Sequence, residues 1–412
     1  MHPAPARVEA FSTAAALLRG AGGRRVIALE AGGGPMPARG RRLFPLQGPA
    51  PRAMDGDHGR AFTALACCND KETTMTSATI PGTAADHSGV QEELSREARM
   101  GGLGEETRER EVRCIDISDF ERRKEEIAEQ LWSASVDIGF FQVSRHGIPI
   151  EDIRAAFARA EAFFALPRET KAQWPLARNA GWEHKAQIRP STRTPDQKES
   201  YQVTRPRMEG LWPTEEELPG FRAATLAFER QCWEVGMRLL SCFAWKLGFD
   251  DAFFTRAHDP SVPAYQSTLR MLHYFAVDPA LKDELGLWRA GAHTDFDCLT
   301  LLFQRPGQGG LQVLPGKEME GRRWTPVEPA EGVITCNIGD MLTRWSDDVL
   351  PSNFHRVRNP VPHEYQGARY SLAFFCQANE DAVIAGPAGT HPPITAGEYL
   401  KQRISANFSN RY

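Results

Sequence analysis

No surplus of positive charge is present: 49 Lys and Arg stand against 53 Asp and Glu, for a net charge of −4 and a pI near 6.3. A chain so balanced lacks the basic stripe with which nucleic-acid binders neutralise phosphates, so nucleic acid is excluded as a partner. Long apolar runs are missing as well. Stretches such as Leu299–Phe303 fall far short of the roughly 20 residues that a membrane-spanning helix needs, and no membrane partner is expected. Cysteine is scarce, with 8 in 412 residues and no CxxC pair, which removes the usual signature of structural zinc. Cys67 and Cys68 are adjacent and poorly placed to bond to each other. Cys114, Cys232, Cys242, Cys298, Cys336 and Cys376 sit among apolar neighbours and read as reduced core residues of a cytoplasmic protein.

What is present is unevenly distributed. Residues 1–110 are rich in Ala, Gly, Pro and Arg, with runs such as Ala31–Pro35 and Gly40–Arg42, and show little periodicity. Such a segment buries too little apolar surface to offset its ordering entropy, and a disordered extension is expected. A start further along, at Met54, Met75 or Met100, would have the same meaning; Glu9 and Glu30 speak against a transit peptide. Order is expected from about Val112. A mixed region, 111–230, carries a strand at Cys114–Ile117, a helix at Glu121–Ser135, a strand at Gly139–Val143, an amphipathic helix after Pro149 and a loop-rich zone from Leu176 to Pro219. The remainder, 231–412, completes a long helix from Phe221 to Leu247 and then turns to eight short strands between Thr268 and Cys376. Turn signals such as Pro306-Gly307, Gly309-Gly310 and Gly339-Asp340 separate them. The expected class is mainly β with flanking helices, built on a jelly-roll core.

The chemistry starts at His293-Thr294-Asp295. On an extended strand, residues two apart share a face, so His293 and Asp295 can meet one ion. A third ligand should come from a later strand, and His355 in Asn353–Val357 stands on one. Two imidazoles and one carboxylate leave open positions on the metal, which oxygen chemistry requires. Further on, Arg369-Tyr370-Ser371 places a guanidinium and a hydroxyl on one face. The planar fork of Arg369 suits a carboxylate, and Ser371 adds a donor to the same group.

These segments make the chain resemble the isopenicillin N synthase-like branch of the iron(II)/2-oxoglutarate oxygenases. Further matching stretches are Cys114–Ser118, Gly139–Pro149, Lys198–Tyr201, Leu269–Tyr274, Gly309–Val313 and Asn337–Asp340. The resemblance implies a double-stranded β-helix holding Fe(II) on His293, Asp295 and His355. It also implies 2-oxoglutarate as co-substrate, its distal carboxylate on Arg369 and Ser371 with help from the Tyr274 hydroxyl. O2 would be consumed, succinate and CO2 released, and a small-molecule substrate hydroxylated, desaturated or cyclised. Two positions depart from the family pattern, Arg145 and Phe275, and the interval from His355 to Arg369 suggests an enlarged hairpin at Asn359–Gly367. Tyr201, Arg207, Phe296 and Phe375 are candidates for lining the substrate pocket, and a monomer is expected. An iron oxidase that does not consume 2-oxoglutarate, or a silent binding protein of the same fold, are the alternatives.

Overall fold

Residues 104–407, apart from 189–192, 277–286 and 317–319, are described by a computed structural model. The first elements are β1 (Glu105–Glu106), β2 (Cys114–Asp116), α1 (Phe120–Ile138), β3 (Phe140–Ser144), α2 (Ile150–Ala165) and α3 (Arg168–Lys171). Then come β4 (Gly181–His184), β5 (Lys198–Val203), α4 (Phe221–Lys246) and α5 (Phe253–Ala257). The strand-rich half runs through β6 (Thr268–Tyr274), β7 (Ala290–His293), β8 (Leu299–Gln304), β9 (Leu311–Leu314), β10 (Arg323–Pro326) and β11 (Ile334–Ile338). It closes with α6 (Asp340–Trp345), β12 (Phe354–Val357), β13 (Arg369–Cys376), β14 (Val383–Ile384), β15 (Ile394–Thr395) and α7 (Ala396–Asn407).

Two open sheets form the core. One has eight strands in the order β2-β3-β11-β8-β13-β6-β5-β4, the other five in the order β1-β10-β9-β12-β7. Their inner faces share an apolar cluster that includes Phe140, Leu272 and Ala373 from the first and Leu311, Val313 and Val357 from the second. Helices cover the outer face of the larger sheet. In α1 the buried Ile127, Leu131, Ala134 and Ile138 recur every three or four residues, which gives that helix its apolar stripe. It ends on Gly139 at φ 73°, a left-handed cap where a Cβ would stand 2.6 Å from the Pro351 carbonyl. Gly236 of α4 serves a different need: a Cβ there would meet Cys376 Sγ at 2.5 Å, so glycine lets the helix close on β13.

Several expectations need correction. The zone from Leu176 to Pro219 contains β4 and β5, which extend the large sheet beyond β6. Strand β5 reads Lys-Glu-Ser-Tyr-Gln-Val and is buried throughout. Its polar members are satisfied by pairing, Lys198 on Asp196 at 2.7 Å and Glu199 on Lys171 at 2.8 Å, so hydropathy does not reveal it. The regions 111–230 and 231–412 therefore contribute to one sheet. Order also begins before Val112, because β1 pairs in parallel with β10 and Gln312 donates to Glu106 at 2.6 Å. The rest of the expected extension, residues 1–103, lies outside the described residues, as do Cys67 and Cys68. Cys114 is exposed, while Cys232, Cys242, Cys298, Cys336 and Cys376 are buried, and all six are free thiols. No helix among the described residues is long and apolar enough to cross a membrane.

Candidate active site

His293 ends β7, and His355 sits directly opposite it on β12 in the antiparallel register. Asp295 lies two residues past the end of β7, so only one member of the motif is on a regular strand. The chain turns there, and the three side chains still converge: one donor atom from each lies within 4.8 Å of the others. The two imidazole rings are 4.3 Å apart between centres. Nε2 of His293 is 3.9 Å from Asp295 Oδ1, and Nε2 of His355 is 3.7 Å from Oδ2. The Nδ1 of His293 lies 2.8 Å from the Gly291 carbonyl, a contact that puts the ring proton on Nδ1 and the lone pair on Nε2. Asp295 is held in turn. Its Oδ2 accepts from the Thr300 hydroxyl at 2.7 Å and from the Asn337 amide at 2.8 Å, which fixes the carboxylate plane. Phe140 packs edge-on against His355, with ring centres 5.4 Å apart. Beneath this group, burial, reinforced by Asp295 and Asp340, pushes the Asp297 carboxyl well above the usual carboxylate range.

A second cluster stands on the larger sheet and lines the same inner cavity. Pairing across the large sheet sets Lys198, Tyr274 and Arg369 in one row, and Ser200, Leu272 and Ser371 in the next. Arg369 is only 1% exposed, yet its hydrogen bonds all go to neutral oxygens. Nε donates to the Gln308 carbonyl at 3.0 Å, Nη2 to Gln304 Oε1 at 2.9 Å, and Nη1 reaches Ser371 Oγ at 3.5 Å. The guanidinium lies 4.7 Å from the centre of the Tyr274 ring. Burial lowers the Arg369 pKa from its ordinary value. Arg289, buried near enough for the two cations to repel, is held down at about 10 by burial and by Arg369. It donates to the Gly367 carbonyl at 2.7 Å, while its Nε has no hydrogen-bond partner. Two buried guanidiniums with such partners form a place that favours an anion.

Along the same face the rows continue outward, to Gln202, Arg270 and Ala373 and then to Thr268 and Phe375. They open into a cavity of about 730 Å³ that reaches His293 and Asp295. Phe296 and Phe375 both line it. Arg270 stacks its guanidinium 4.8 Å from the Phe375 ring centre and donates to Gln202 at 2.9 Å. Buried Gln377 also lines the cavity, and its Oε1 has no partner. Tyr201 is a correction. Its neighbour Gln202 lines the cavity, so strand alternation turns Tyr201 the other way, into the core against Phe163 at 4.1 Å, with its hydroxyl on the Leu211 carbonyl. Arg207 is another. It is spent on Glu380 at 2.5 Å and on the Arg178 carbonyl at 2.8 Å, so it braces Arg178, which does line the cavity.

Sequence reasoning passed over Thr300, Asn337, Arg289, Arg270 and Gln377. Asn337 and Arg270 belonged to matching motifs but carried no role; the others had no signal, since only the fold brings them to the site.

Open sheets that bring two imidazoles and a carboxylate together near a buried guanidinium offer a donor set suited to a mononuclear, non-haem metal centre with open coordination positions. Family comparisons make this specific. The 2OG-Fe(II) oxygenase superfamily matches residues 265–378, and the family described as non-haem dioxygenase in morphine synthesis N-terminal matches residues 112–217. Proline hydroxylase buaE of Petromyces alliaceus is 33% identical, over 66% of this chain and 89% of that protein. The 2-oxoglutarate-dependent dioxygenase caaD of Aspergillus niger is 29% identical, over 70% and 88%. Among solved structures, a full-length Neurospora crassa protein in complex with alpha-KG matches with a TM-score of 0.63 and 31% identity, over 71% of this chain and 95% of that one. The chain belongs to the 2OG-Fe(II) oxygenase superfamily. It is an enzyme, a dioxygenase that depends on iron(II) and 2-oxoglutarate.

Proposed function

We propose that His293, Asp295 and His355 hold the iron(II), that Arg369, Ser371 and Tyr274 take the distal carboxylate of 2-oxoglutarate, and that the outer cavity receives a small-molecule substrate. One observation carries this reading. Two imidazole Nε2 atoms face a carboxylate already anchored by Thr300 and Asn337, and they line the same inner cavity as a fully buried arginine bonded only to neutral oxygens. The donor set fits iron(II), and the chamber around Arg369 fits one end of a dicarboxylic acid.

When bound, iron(II) with 2-oxoglutarate and O2 supplies the oxidising power for C–H oxidation, with succinate and CO2 as co-products. The chain's own part is positioning. Gly291 sets the tautomer of His293, Asn337 and Thr300 orient Asp295, and Gln304 and Gln308 hold the Arg369 fork flat toward the chamber. Phe296 and Phe375 give the substrate apolar walls near the ligands, and Gln202, Arg270 and Gln377 give it polar partners further out. The Neurospora crassa protein has also been solved in complex with alpha-KG and thymine, which supports a compact ligand for such a cavity. We place the reaction on a single chain in the cytoplasm, where free thiols persist.

The test is stoichiometry. Purified protein given iron(II) and 2-oxoglutarate is screened against a panel of small molecules, and succinate is counted against oxidised product. One succinate per product is expected. Product without 2-oxoglutarate, and no succinate, would establish the oxidase instead and leave Arg369 to some other carboxylate.

A further inference from the structure

The described part of the C-terminal helix contributes one buried charge that neither the metal site nor the co-substrate chamber uses. Leu400 and Ile404 of α7 line the outer cavity, and being four apart they lie on one face of the helix. Between them in sequence is Arg403, whose side chain is 4% exposed. Its Nη2 is 2.7 Å from Asp340 Oδ2, the carboxylate at the start of α6, itself 6% exposed. The same nitrogen is 3.4 Å from the Thr294 hydroxyl, which lies between two of the metal-site residues. Thr294 Oγ1 in turn donates to Asp340 at 3.4 Å, and the Asp340 backbone N–H donates to the Asp295 carbonyl at 2.9 Å. The guanidinium also stands 5.1 Å from the centre of the Phe296 ring. One side chain thus joins the cavity's helical wall to the segment His293–Phe296 through an ion pair, a hydroxyl and an aromatic ring.

We propose that α7 is the wall that completes the substrate cavity, and that Arg403 is a positioning residue that sets this wall and Phe296 in register with the metal-binding segment; this rests on the function proposed above. The chemistry of burial supports a positioning role rather than a merely stabilising one. A buried ion pair is often no more stabilising than apolar residues of the same volume, whereas removing one partner strands the other charge. What such a pair adds is a fixed geometry, since a guanidinium meets a carboxylate in few orientations. An apolar residue at 403 could fill the space, but it would not fix Thr294 and Asp340 to the helix. Loss of register should therefore open the cavity to water and leave the chamber at Arg369 as it was.

The experiment uses the full chain with iron(II), and 2-oxoglutarate alone as the probe. Hydrogen exchange is followed in residues 293–296 and 396–405, together with substrate-free succinate release and the KM for 2-oxoglutarate. Arg403→Met should raise exchange in both segments by about tenfold, and raise substrate-free release several-fold, with the KM for 2-oxoglutarate within about twofold of wild type, since a tenfold change is only ~1.4 kcal/mol. Arg403→Lys, which keeps the charge but loses the fork, should fall between. Leu400→Ala trims the wall and keeps the ion pair; it should raise release by a smaller factor without loosening 293–296, and it decides the matter if Arg403→Met does not fold. The proposal is overturned if exchange and release stay at wild-type values in Arg403→Met, if affinity for 2-oxoglutarate and for iron is lost in that variant, or if Leu400→Ala leaves release unchanged. A wild-type protein that forms no succinate while Arg403→Met still loosens both segments would defeat the function proposed above and leave the role of Arg403 standing.

Discussion

The two ends of the catalytic face are built differently. At the inner end, Arg369, Ser371 and Tyr274 stand on β13 and β6, strands paired on both sides, so backbone register fixes where each side chain points. At the outer end, the cavity is bounded by residues of the edge strand β4, by Phe296 in the turn after β7, and by Leu400 and Ile404 of α7. Register constrains β-sheet interiors tightly, whereas loops and terminal helices can shift without breaking a ladder. The inner end holds the buried guanidinium of Arg369; the outer end is wide, with Phe296, Phe375, Gln202 and Gln377 among its lining. A common oxidising centre can thus serve different substrates through changes at the outer end alone.

The largest effect should come from the centre that both ends share. His293→Ala or Asp295→Ala should abolish turnover while the thermal transition stays near wild type, as measured by succinate release beside calorimetry. Full activity in either variant would remove the ligand assignment. Next comes the inner end. Truncating a charge-assisted fork in a sheltered site costs on the order of 2–5 kcal/mol. Arg369→Ala should therefore raise the KM for 2-oxoglutarate by about thirtyfold or more, at ~1.4 kcal/mol per tenfold. Arg369→Lys should recover only part of it, because an ammonium is a point charge. Iron binding should not follow. If iron and co-substrate affinity fall together, the inner end is not a separate site.

At the outer end the expected split is the reverse. Phe375→Ala or Gln377→Leu should change the preference among panel substrates by on the order of tenfold, as pocket contacts of about 1–3 kcal/mol do. The KM for 2-oxoglutarate should move little. An equal change in both constants would show that the two ends are coupled rather than independent.

A last effect concerns stability and involves neither end. His258 is fully buried, with its ring nitrogens near the Phe254 and Cys376 carbonyls at 2.7 and 3.2 Å. Burial lowers its pKa from 6.5 to about 4, and the two carbonyls, which favour the cation, only partly oppose this. A depressed imidazole pKa means the unfolded chain takes up the proton first as pH falls. The contribution is complete above about pH 6.5 and is lost progressively as the pH falls toward 4, by on the order of 2–3 kcal/mol. Urea melts across that range should show the decline, and His258→Gln should flatten it. An unchanged slope would place the acid sensitivity elsewhere.

The strands from Leu299 to Cys376 were legible because they are short apolar runs closed by Gly and Pro turns. β8, β9, β10 and β13 span the residues that the pattern predicts. Strand β5 was not legible, since charged partners rather than apolar faces bury it. Tyr201 and Arg207 failed as pocket residues for related reasons: an aromatic ring reads the same in a core as in a cavity, and an arginine does not announce its partner. Phe296 and Phe375 reach the cavity because they neighbour the metal and anion motifs along the chain.

By itself, the sequence determined the class of chemistry. His293, Asp295, His355, Arg369 and Ser371 are of ligand and anion-binding types; alternation on β13 puts Arg369 and Ser371 on one face, whereas His293 and Asp295 converge across a turn. Only the tertiary structure decided the rest. It set His355 opposite His293, put Asn337 and Thr300 on Asp295, and brought Arg403 from near the C-terminus to Asp340. Apart from Thr300, five residues from Asp295, those contacts join residues far apart along the chain, and local patterning cannot encode which distant strand or helix a side chain will meet.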